Sequence, residues 1–185
     1  MTSVLVLGGA RSGKSRYAES LAKGSKHYIA TGQAFDDEMH IRIASHREQR
    51  GDTWNTHEVP LDLVDALKTV DGKGRFVLID CLTLWISNLM HEERDVLREV
   101  ENLCVALAHA KAQVAIVSNE VGLGIVPKNA MAREFRDLQG FANQRMAQAV
   151  DEVVFLAAGL PLVLKKAKRP AKPVRAAKTL RTRRP

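Results

Sequence analysis

The chain has little cysteine and no long apolar run. Its two cysteines, Cys81 and Cys104, lack the paired spacing of a disulfide framework or a zinc site, so we expect two buried thiols. No stretch approaches the roughly 18 consecutive apolar residues that a membrane-spanning helix needs, and the N-terminus shows no cleavable signal pattern. We therefore expect a cytoplasmic protein without a membrane partner.

Acidic side chains are absent from the last 21 residues, which hold ten of the 28 basic side chains. Residues 1–164 therefore carry 18 basic against 21 acidic side chains, so the net charge of +7 comes from the tail. The tail also contains three prolines and few large apolar groups, which predicts a flexible segment. We expect one domain over residues 1–166 and a solubilising tail over 167–185. Salt-dependent polyanion binding by the tail is the alternative, although we do not expect a nucleic-acid partner.

The order of the apolar runs predicts a single α/β domain. Apolar residues make up 45% of the chain and charged residues 26%, a balance that can bury a core. Short apolar runs alternate with longer helical patterns, which is typical of βα units that carry a parallel sheet. Because the runs are continuously apolar, we expect helices on both faces of the sheet.

Six strands and six helices are predicted along the chain. The sixth strand follows the fifth across a link too short for a parallel crossover, which predicts an antiparallel hairpin at one edge of a mostly parallel sheet. The predicted strands are Val4–Leu7, His27–Ala30, Phe76–Ile79, Val114–Val117, Val153–Ala157 and Leu160–Lys165. The predicted helices are Lys14–Lys23, Asp37–Arg50, Leu61–Leu67, Thr83–Met90, Glu93–Ala110 and Asn129–Ala149.

A glycine-rich segment lies between the first predicted strand and the first predicted helix, and it matches the P-loop pattern G-x-x-x-x-G-K-[ST]. Its glycines let consecutive backbone N–H groups point inward, and the helix adds the positive end of its dipole, which predicts a cradle for nucleotide phosphates. We expect Lys14 to reach the β- and γ-phosphates and the Ser15 hydroxyl to suit Mg²⁺. The segment consists of Gly8, Gly9, Ala10, Arg11, Ser12, Gly13, Lys14 and Ser15.

A P-loop needs a second group that positions magnesium or water, usually an acid at the end of a neighbouring strand. Asp80 ends a predicted strand and is the first candidate for this metal-binding role, with a helix cap as the alternative. Glu120 follows another predicted strand and could act on a metal or a substrate, or only cap. These features predict a nucleotide site, and they leave a motor ATPase, a small-molecule kinase and a regulatory GTPase open.

His46 lies between two arginines in the predicted helix Asp37–Arg50. Arg42, His46 and Arg50 are spaced four residues apart, so they share one helical face. The adjacent positive charge disfavours protonation of the imidazole and keeps a ring nitrogen lone pair available near neutral pH. Such a histidine could attack the α-phosphorus of a nucleotide and form a phosphoramidate. A solvated basic helix face explains the same spacing.

The motifs, taken in order, point to one known family. The most distinctive stretch is Asn119-Glu120-Val121-Gly122-Leu123-Gly124-Ile125-Val126-Pro127. Other matching segments are the P-loop, Ile29–Gln33, Asp37–Met39, Arg42–Ile43, His46–Arg47, Trp54 with Thr56 and Glu58, Asp80–Thr83, Phe135–Asp137, Asn143–Gln144 and Ala149–Val153. From about Val4 to Lys165 the chain resembles the bifunctional adenosylcobinamide kinase/adenosylcobinamide-phosphate guanylyltransferases of cobalamin biosynthesis.

This resemblance implies a RecA-like fold, a homotrimer and two reactions. ATP or GTP would phosphorylate adenosylcobinamide, and GTP would then guanylylate His46, which passes GMP to adenosylcobinamide phosphate and yields adenosylcobinamide-GDP. Lys14 and His46 are accordingly the expected catalytic residues. Beyond the P-loop, the positions that match guanine-nucleotide contacts of the family are Thr31, Gly32, Gln33, Arg47, Glu48, Gln49, Arg50, Glu58 and Asp80.

Two other functions fit part of the sequence. A P-loop small-molecule kinase without a covalent intermediate would keep its activity when His46 is replaced. A nucleotide-gated module that uses the basic tail on nucleic acid would lose polyanion affinity when residues 166–185 are deleted. The sequence also departs from the family, because Gly51 stands where members often have proline and because the family pattern does not include the tail.

Overall fold

A seven-stranded sheet forms the centre of the computed structural model, which describes residues 3–33 and 53–167. The strands are β1 (Ser3–Gly8), β2 (Ser25–Ala30), β3 (Trp54–Glu58), β4 (Arg75–Asp80), β5 (Gln113–Asn119), β6 (Glu152–Ala157) and β7 (Leu160–Lys165). Their spatial order is β3-β2-β4-β5-β1-β6-β7, and every pair is parallel except β6 and β7. All six predicted strands are confirmed.

The predicted hairpin at the edge of the sheet is also confirmed. Ala157 of β6 pairs with Leu160 of β7, which leaves a two-residue turn. Ala158 and Gly159 in this turn have φ values of 51° and 79°, the positive values of a type I′ hairpin turn, whose twist matches the twist of the strands.

β3 at the opposite edge was missed by the sequence analysis. Its residues are polar apart from Trp54, their side chains are half-buried or exposed, and among the described residues the strand pairs in parallel with β2 alone. The sequence pattern used to identify strands was continuous apolarity, which marks strands buried on both faces. An edge strand is not fully covered and does not require continuous apolarity, so the polar residues of β3 did not predict a strand.

The described helices are α1 (Lys14–Ser20), α2 (Leu63–Val70), α3 (Leu82–His91), α4 (Val96–His109) and α5 (Ala130–Ala149). Five predicted helices therefore exist, with shifted ends. The predicted helix Glu93–Ala110 corresponds to α4, but Glu93 has a φ of 52° and does not start it. Asp95 instead caps α4 by accepting a hydrogen bond from the Arg98 N–H. The predicted helix Asp37–Arg50 lies outside the described residues.

The sheet separates two apolar clusters. On one face, Leu5, Ile29 and Ile79 pack with side chains from α2 to α5. On the other face, Val6 and Leu78 pack with Ala18 of α1. Successive strand residues thus point to opposite faces that are both covered, as the continuous apolar runs predicted.

Cys81 and Cys104 are free, buried thiols, which confirms the expectation from their spacing. Burial raises the pKa of the Cys81 thiol to about 12, and the neighbouring Asp80 carboxylate adds to the effect. Burial also raises the pKa of Cys104. Within residues 3–33 and 53–167, no helix is both long and apolar enough to span a membrane.

Candidate functional site

The predicted phosphate cradle connects β1 to α1 at the carboxyl end of the sheet. Gly13 stands at the helix N-cap with a φ of 96° and contributes no capping side chain, and Arg11 has a φ of 55°. These left-handed residues turn the backbone sharply inside the loop. The loop is also held from outside, because the Gly159 N–H donates a 3.0 Å hydrogen bond to the Ser12 carbonyl. The hairpin turn therefore forms part of the wall of the loop.

Lys14 and Ser12 supply the polar groups inside this loop. Lys14 is only 7% exposed, and its Nζ donates a 2.6 Å hydrogen bond to the Gly9 carbonyl, so its charge lies against the loop. The Ser12 Oγ is buried and has no hydrogen-bond partner among the described residues. A buried hydroxyl without a partner is costly in a protein interior. The loop therefore combines a buried ammonium with a buried hydroxyl that no described group satisfies.

Asp80 occupies the position predicted for the second acid. It ends β4, between Ala30 of β2 and Val117 of β5, and the Tyr28 hydroxyl donates a 2.7 Å hydrogen bond to its Oδ2. The capping alternative is wrong, because Cys81 is the N-cap of α3 and its Sγ accepts from the Leu84 N–H. Asp80 is thus a carboxylate at the ligand-binding edge of an open α/β sheet.

The donor set at this edge fits Mg²⁺. The ion prefers hard oxygen ligands and keeps several waters, so one hydroxyl and one carboxylate are sufficient protein ligands. Ser15, in the first turn of α1, and Asp80 offer these two groups. Within the described ranges no cluster of three or more histidine, cysteine or acidic residues forms a separate metal site.

Thr31, at the end of β2, has a bracing role in the fold. It is fully buried, and its Oγ1 both donates to the Cys81 carbonyl at 2.7 Å and accepts from the Cys81 N–H at 2.9 Å. The Asn88 amide donates to the Thr31 carbonyl at 2.8 Å. The threonine hydroxyl is therefore engaged by protein groups, and nucleotide contact by Thr31, Gly32 and Gln33 stays a prediction.

Of the remaining predicted site residues, the structure describes Glu58 but not residues 46–50. Glu58 ends β3 and is paired with Ala30, so it lies at the same edge as Asp80. His46, Arg47, Glu48, Gln49 and Arg50 lie outside the described residues. The structure thus brings the P-loop, Thr31, Glu58 and Asp80 to one edge of the sheet, and the roles assigned to these residues remain predictions.

Glu120 connects the P-loop to the next loop. Its N–H donates a 3.1 Å hydrogen bond to the Gly8 carbonyl, and its Oε1 accepts a 2.6 Å hydrogen bond from the Gly122 N–H. Its carboxylate therefore closes a turn and caps no helix, since Asn129 caps α5. After this turn the chain exposes three apolar side chains, Leu123, Ile125 and Val126, with 85%, 98% and 59% of their surfaces accessible.

A buried polar network beneath this loop was missed by the sequence analysis. Ser118 Oγ donates to Asn143 Oδ1 at 2.7 Å, and Gln139 Nε2 donates to these same two oxygen atoms. Asn143 Nδ2 donates to the Asn119 carbonyl at 3.0 Å. Thr83 Oγ1 accepts from the Asn119 N–H at 2.8 Å. The sequence did contain an indication of this network, because the polar residues Gln139 and Asn143 are four positions apart on the face of α5 that is buried.

A second contact that was not predicted joins two histidines on neighbouring strands. The rings of His27 and His57 are stacked with centroids 5.5 Å apart, and His27 Nδ1 lies 3.3 Å from His57 Nε2. Burial lowers the pKa of His27, and the charges of His57 and Arg75 lower it further. The sequence analysis did not predict this contact, because β3 was not recognised as a strand.

Two cavities among the described residues lie away from the P-loop. One of about 610 Å³ lies between α2 and α4, and one of about 1050 Å³ lies between the end of α3 and the first turns of α4 and α5. The larger cavity includes Asn88, which bonds to Thr31, and Asn129, which ends the exposed apolar loop. The phosphate cradle is thus identified by its chemistry and its position rather than by its volume.

The chain matches one protein family over most of its length. Residues 4–164 match the family described as cobinamide kinase / cobinamide phosphate guanyltransferase. The bifunctional adenosylcobalamin biosynthesis protein CobP of Pseudomonas aeruginosa is 45% identical over 166 residues, covering 87% of this chain and 96% of the relative. The protein of the same description named CobU in Salmonella typhimurium is 41% identical over 180 residues, covering 88% and 99%.

Two solved structures share the fold at low sequence identity. The flagellar accessory protein FlaH from Methanocaldococcus jannaschii has a TM-score of 0.51 at 13% identity and covers 90% of this chain and 79% of its own. A protein from Pyrococcus horikoshii has a TM-score of 0.55 at 8% identity and covers 90% and 87%. At such identities the likeness shows the fold alone. The chain accordingly has the mostly parallel α/β fold of P-loop NTPases, with an antiparallel hairpin at one edge.

Proposed function

Because the chain belongs to the cobinamide kinase / cobinamide phosphate guanyltransferase family, we propose that it phosphorylates adenosylcobinamide and then transfers GMP from GTP to that product through His46. The observation that carries the proposal is the loop between β1 and α1, which holds a buried lysine and a buried hydroxyl without a hydrogen-bond partner among the described residues. This arrangement suits a nucleotide phosphate, and the family match supplies the acceptor.

The first reaction is a phosphoryl transfer. The hydroxyl oxygen of adenosylcobinamide attacks the γ-phosphorus of ATP or GTP, the bond from that phosphorus to the bridging oxygen breaks, and the nucleoside diphosphate leaves while the hydroxyl proton is released. Lys14 stabilises the charge that spreads over the phosphate oxygens. Ser15 and Asp80 would hold Mg²⁺, which neutralises phosphate charge when it is bound.

The second reaction is a nucleotidyl transfer in two steps. An imidazole nitrogen of His46 attacks the α-phosphorus of GTP, a P–N bond forms and pyrophosphate leaves. A phosphate oxygen of adenosylcobinamide phosphate then attacks the same phosphorus, the P–N bond breaks, and the histidine is regenerated. His46 lies outside the described residues, so its role rests on its helical spacing between arginines and on the family resemblance.

The acceptor would contact the loop that follows Glu120. This loop starts against the P-loop, through the bond from Glu120 to Gly8, and then exposes Leu123, Ile125 and Val126. A corrinoid is a large macrocycle with apolar surface, which such side chains can cover. We therefore propose this loop as one wall of the corrinoid site. Ile125→Asp should slow transfer to the corrinoid and leave guanylylation of the enzyme unchanged, whereas a change only in oligomeric state would indicate contact with a second copy.

The transferase half can be tested directly with GTP labelled at the α-phosphate and Mg²⁺. The protein should acquire an acid-labile, base-stable label, and His46→Ala should abolish it while His40→Ala, in the same segment, keeps it. Adding adenosylcobinamide phosphate should move the label into the corrinoid. A protein that gains no label, or a label that survives His46→Ala, would contradict the covalent step.

The kinase half is tested separately with γ-labelled ATP or GTP and adenosylcobinamide. Label should appear in the corrinoid, and His46→Ala should keep this transfer while it loses the other. If the wild type and His46→Ala show only kinase activity, and to the same extent, the chain is instead a P-loop small-molecule kinase. Lys14→Ala should abolish both halves, because both need the phosphates of a nucleotide in the same cradle.

Three further proposals follow from the resemblance and the sequence. We propose a homotrimer, for which sedimentation equilibrium should give about three times the 20.4 kDa chain mass. We propose a cytoplasmic location, which cell fractionation checks. We also propose that the domain ends near Lys166, so a chain shortened to residues 1–166 should keep both activities.

A further inference from the structure

Tyr28 reaches the carboxylate of Asp80 along one face of the sheet. Tyr28 pairs with Leu78, and Ala30 pairs with Asp80, so the phenol stands two residues before the carboxylate on the neighbouring strand. Tyr28 and Leu78 both belong to the apolar cluster on the α1 face. Because side chains two residues apart on a strand share a face, Asp80 also points to the face on which the P-loop helix packs.

The phenol is held firmly in this position. Tyr28 is 4% exposed, and its ring contacts the edge of Trp54 at a centroid distance of 6.0 Å. Trp54 in turn contacts Phe76 at 6.2 Å, and Lys26 Nζ lies 5.8 Å from the centroid of the Trp54 ring. A ring packed in this way cannot turn aside, so its hydroxyl stays directed at Asp80 Oδ2 at 2.7 Å.

An aspartate needs such a partner if its carboxylate is to act as a ligand. The terminal torsion of aspartate is broad, so an unrestrained carboxylate samples many orientations. Mg²⁺ requires near-ideal octahedral geometry, which a rotating ligand does not provide. A hydrogen bond to a charged acceptor is about twice as strong as a neutral one, and the Tyr28 bond is of this kind.

From this geometry we infer that Tyr28 is a positioning residue of the nucleotide site, which holds Asp80 Oδ2 so that Oδ1 is directed to the metal–nucleotide complex. The inference rests on the proposed role of Asp80. It adds a residue outside the P-loop, and it makes the aromatic cluster around Trp54 part of the support of the site. In this role Tyr28 acts through Asp80 and needs no contact of its own with the nucleotide.

A double-mutant cycle tests the inference by binding rather than by turnover. Affinity for a non-hydrolysable GTP analogue is measured by calorimetry for wild type, Tyr28→Phe, Asp80→Asn and the double variant, each with Mg²⁺ and with EDTA. With Mg²⁺ we expect Tyr28→Phe to weaken binding about three- to tenfold and Asp80→Asn to weaken it more. The double variant should match Asp80→Asn, and Tyr28→Phe should have no effect in EDTA.

Tyr17→Phe is the matched control, because Tyr17 is the only other tyrosine in the chain. It removes the same hydroxyl from α1 and should leave affinity unchanged. If Asp80→Asn weakens binding and Tyr28→Phe does not, or if the two effects are additive, the inference is overturned while the proposed function survives. If Asp80→Asn has no effect, the proposed role of Asp80 fails, and the inference fails with it.

A second measurement applies even if Tyr28→Phe does not fold. In Tyr17→Phe protein grown with 3-fluorotyrosine, Tyr28 carries the only fluorine. Its ¹⁹F resonance should shift when Mg²⁺ and the analogue are added together, and Asp80→Asn should remove the shift. A resonance that does not respond to the metal–nucleotide complex would overturn the inference.

Discussion

A Cβ atom placed on Gly8 would lie 2.4 Å from the carbonyl oxygen of Leu156, a distance that no side chain can tolerate. The two residues face each other at the end of the parallel pair β1 and β6. The same Cβ would lie 2.7 Å from Ser12 Oγ, and the Gly8 φ of 153° is strained for any other residue. The first glycine of the P-loop is therefore required by the packing of the sheet as well as by the phosphate.

Gly8→Ala should destabilise the chain and disrupt the phosphate loop. The neighbour in contact is backbone and cannot move aside, so we expect a loss of about 2 kcal/mol or more in the free energy of unfolding. Urea denaturation measures this loss. Gly9→Ala is the control for stability, because a Cβ there meets nothing within 4 Å. Equal destabilisation by the two substitutions would show that the contact with Leu156 is unimportant.

The Cys81 thiol should make stability fall at high pH. Its pKa is raised by burial to about 12 from an ordinary value of 9.0, so the folded chain keeps a proton that the unfolded chain loses. This contribution is complete below pH 9 and is lost between about pH 9 and 12, at up to about 1.4 kcal/mol per pH unit. Cys81→Ser keeps an N-cap acceptor without the titration, and its stability should fall less steeply.

The same burial should protect both thiols from modification. Because the thiolate is the reactive form, neither Cys81 nor Cys104 should react with a thiol reagent at pH 8 while the chain is folded. Both should react at once in denaturant, which gives a direct count of two. Rapid reaction of either cysteine in the native protein would contradict its buried position.

Asn143→Leu should test the network beneath the loop that carries Glu120. The substitution removes the acceptor of Ser118 and the donor to the Asn119 carbonyl, and it leaves these buried groups unsatisfied. We expect a loss of about 1–3 kcal/mol in the free energy of unfolding, measured in urea. Gln144→Leu changes the exposed neighbour on the same helix and should alter stability by less than about 0.5 kcal/mol.

The stacked histidines predict a loss of stability on acidification. The pKa of His27 is lowered from an ordinary value of 6.5, first by burial and then by the charges of His57 and Arg75. A group whose folded pKa is lowered stabilises the fold above its unfolded pKa, so this contribution should be lost as the pH falls below about 6.5. The melting temperature of His57→Gln should therefore depend less on pH between 7 and 5 than that of the wild type.

The sequence predicted the central strands and the phosphate loop because these elements depend on local patterns. Runs such as Phe76–Ile79 are continuously apolar, and the P-loop combines its motif with the correct flanking elements. Helix ends were less accurate, since they depend on single residues such as Glu93, whose φ of 52° no pattern indicates. β3 was missed because an edge strand carries little apolar signal.

Contacts between distant segments account for what the sequence did not predict in the site. The position of Asp80 followed from the end of a strand, but its bond to Tyr28 depends on the register between β2 and β4. The bracing role of Thr31 likewise depends on β2 and β4 being neighbours. Such pairings are set by the whole sheet, so the spacing of residues along one segment does not encode them.

The hydrogen bond from Gly159 to Ser12 has a consequence for biosynthesis of the protein. The loop is made from residues 8–15, but its outer support comes from a turn that is synthesised about 150 residues later. A nascent chain that has not yet emitted the last hairpin lacks that support, and it also lacks β6 beside β1. Competence to hold a triphosphate should consequently arise only after the hairpin of β6 and β7 has emerged and paired with β1.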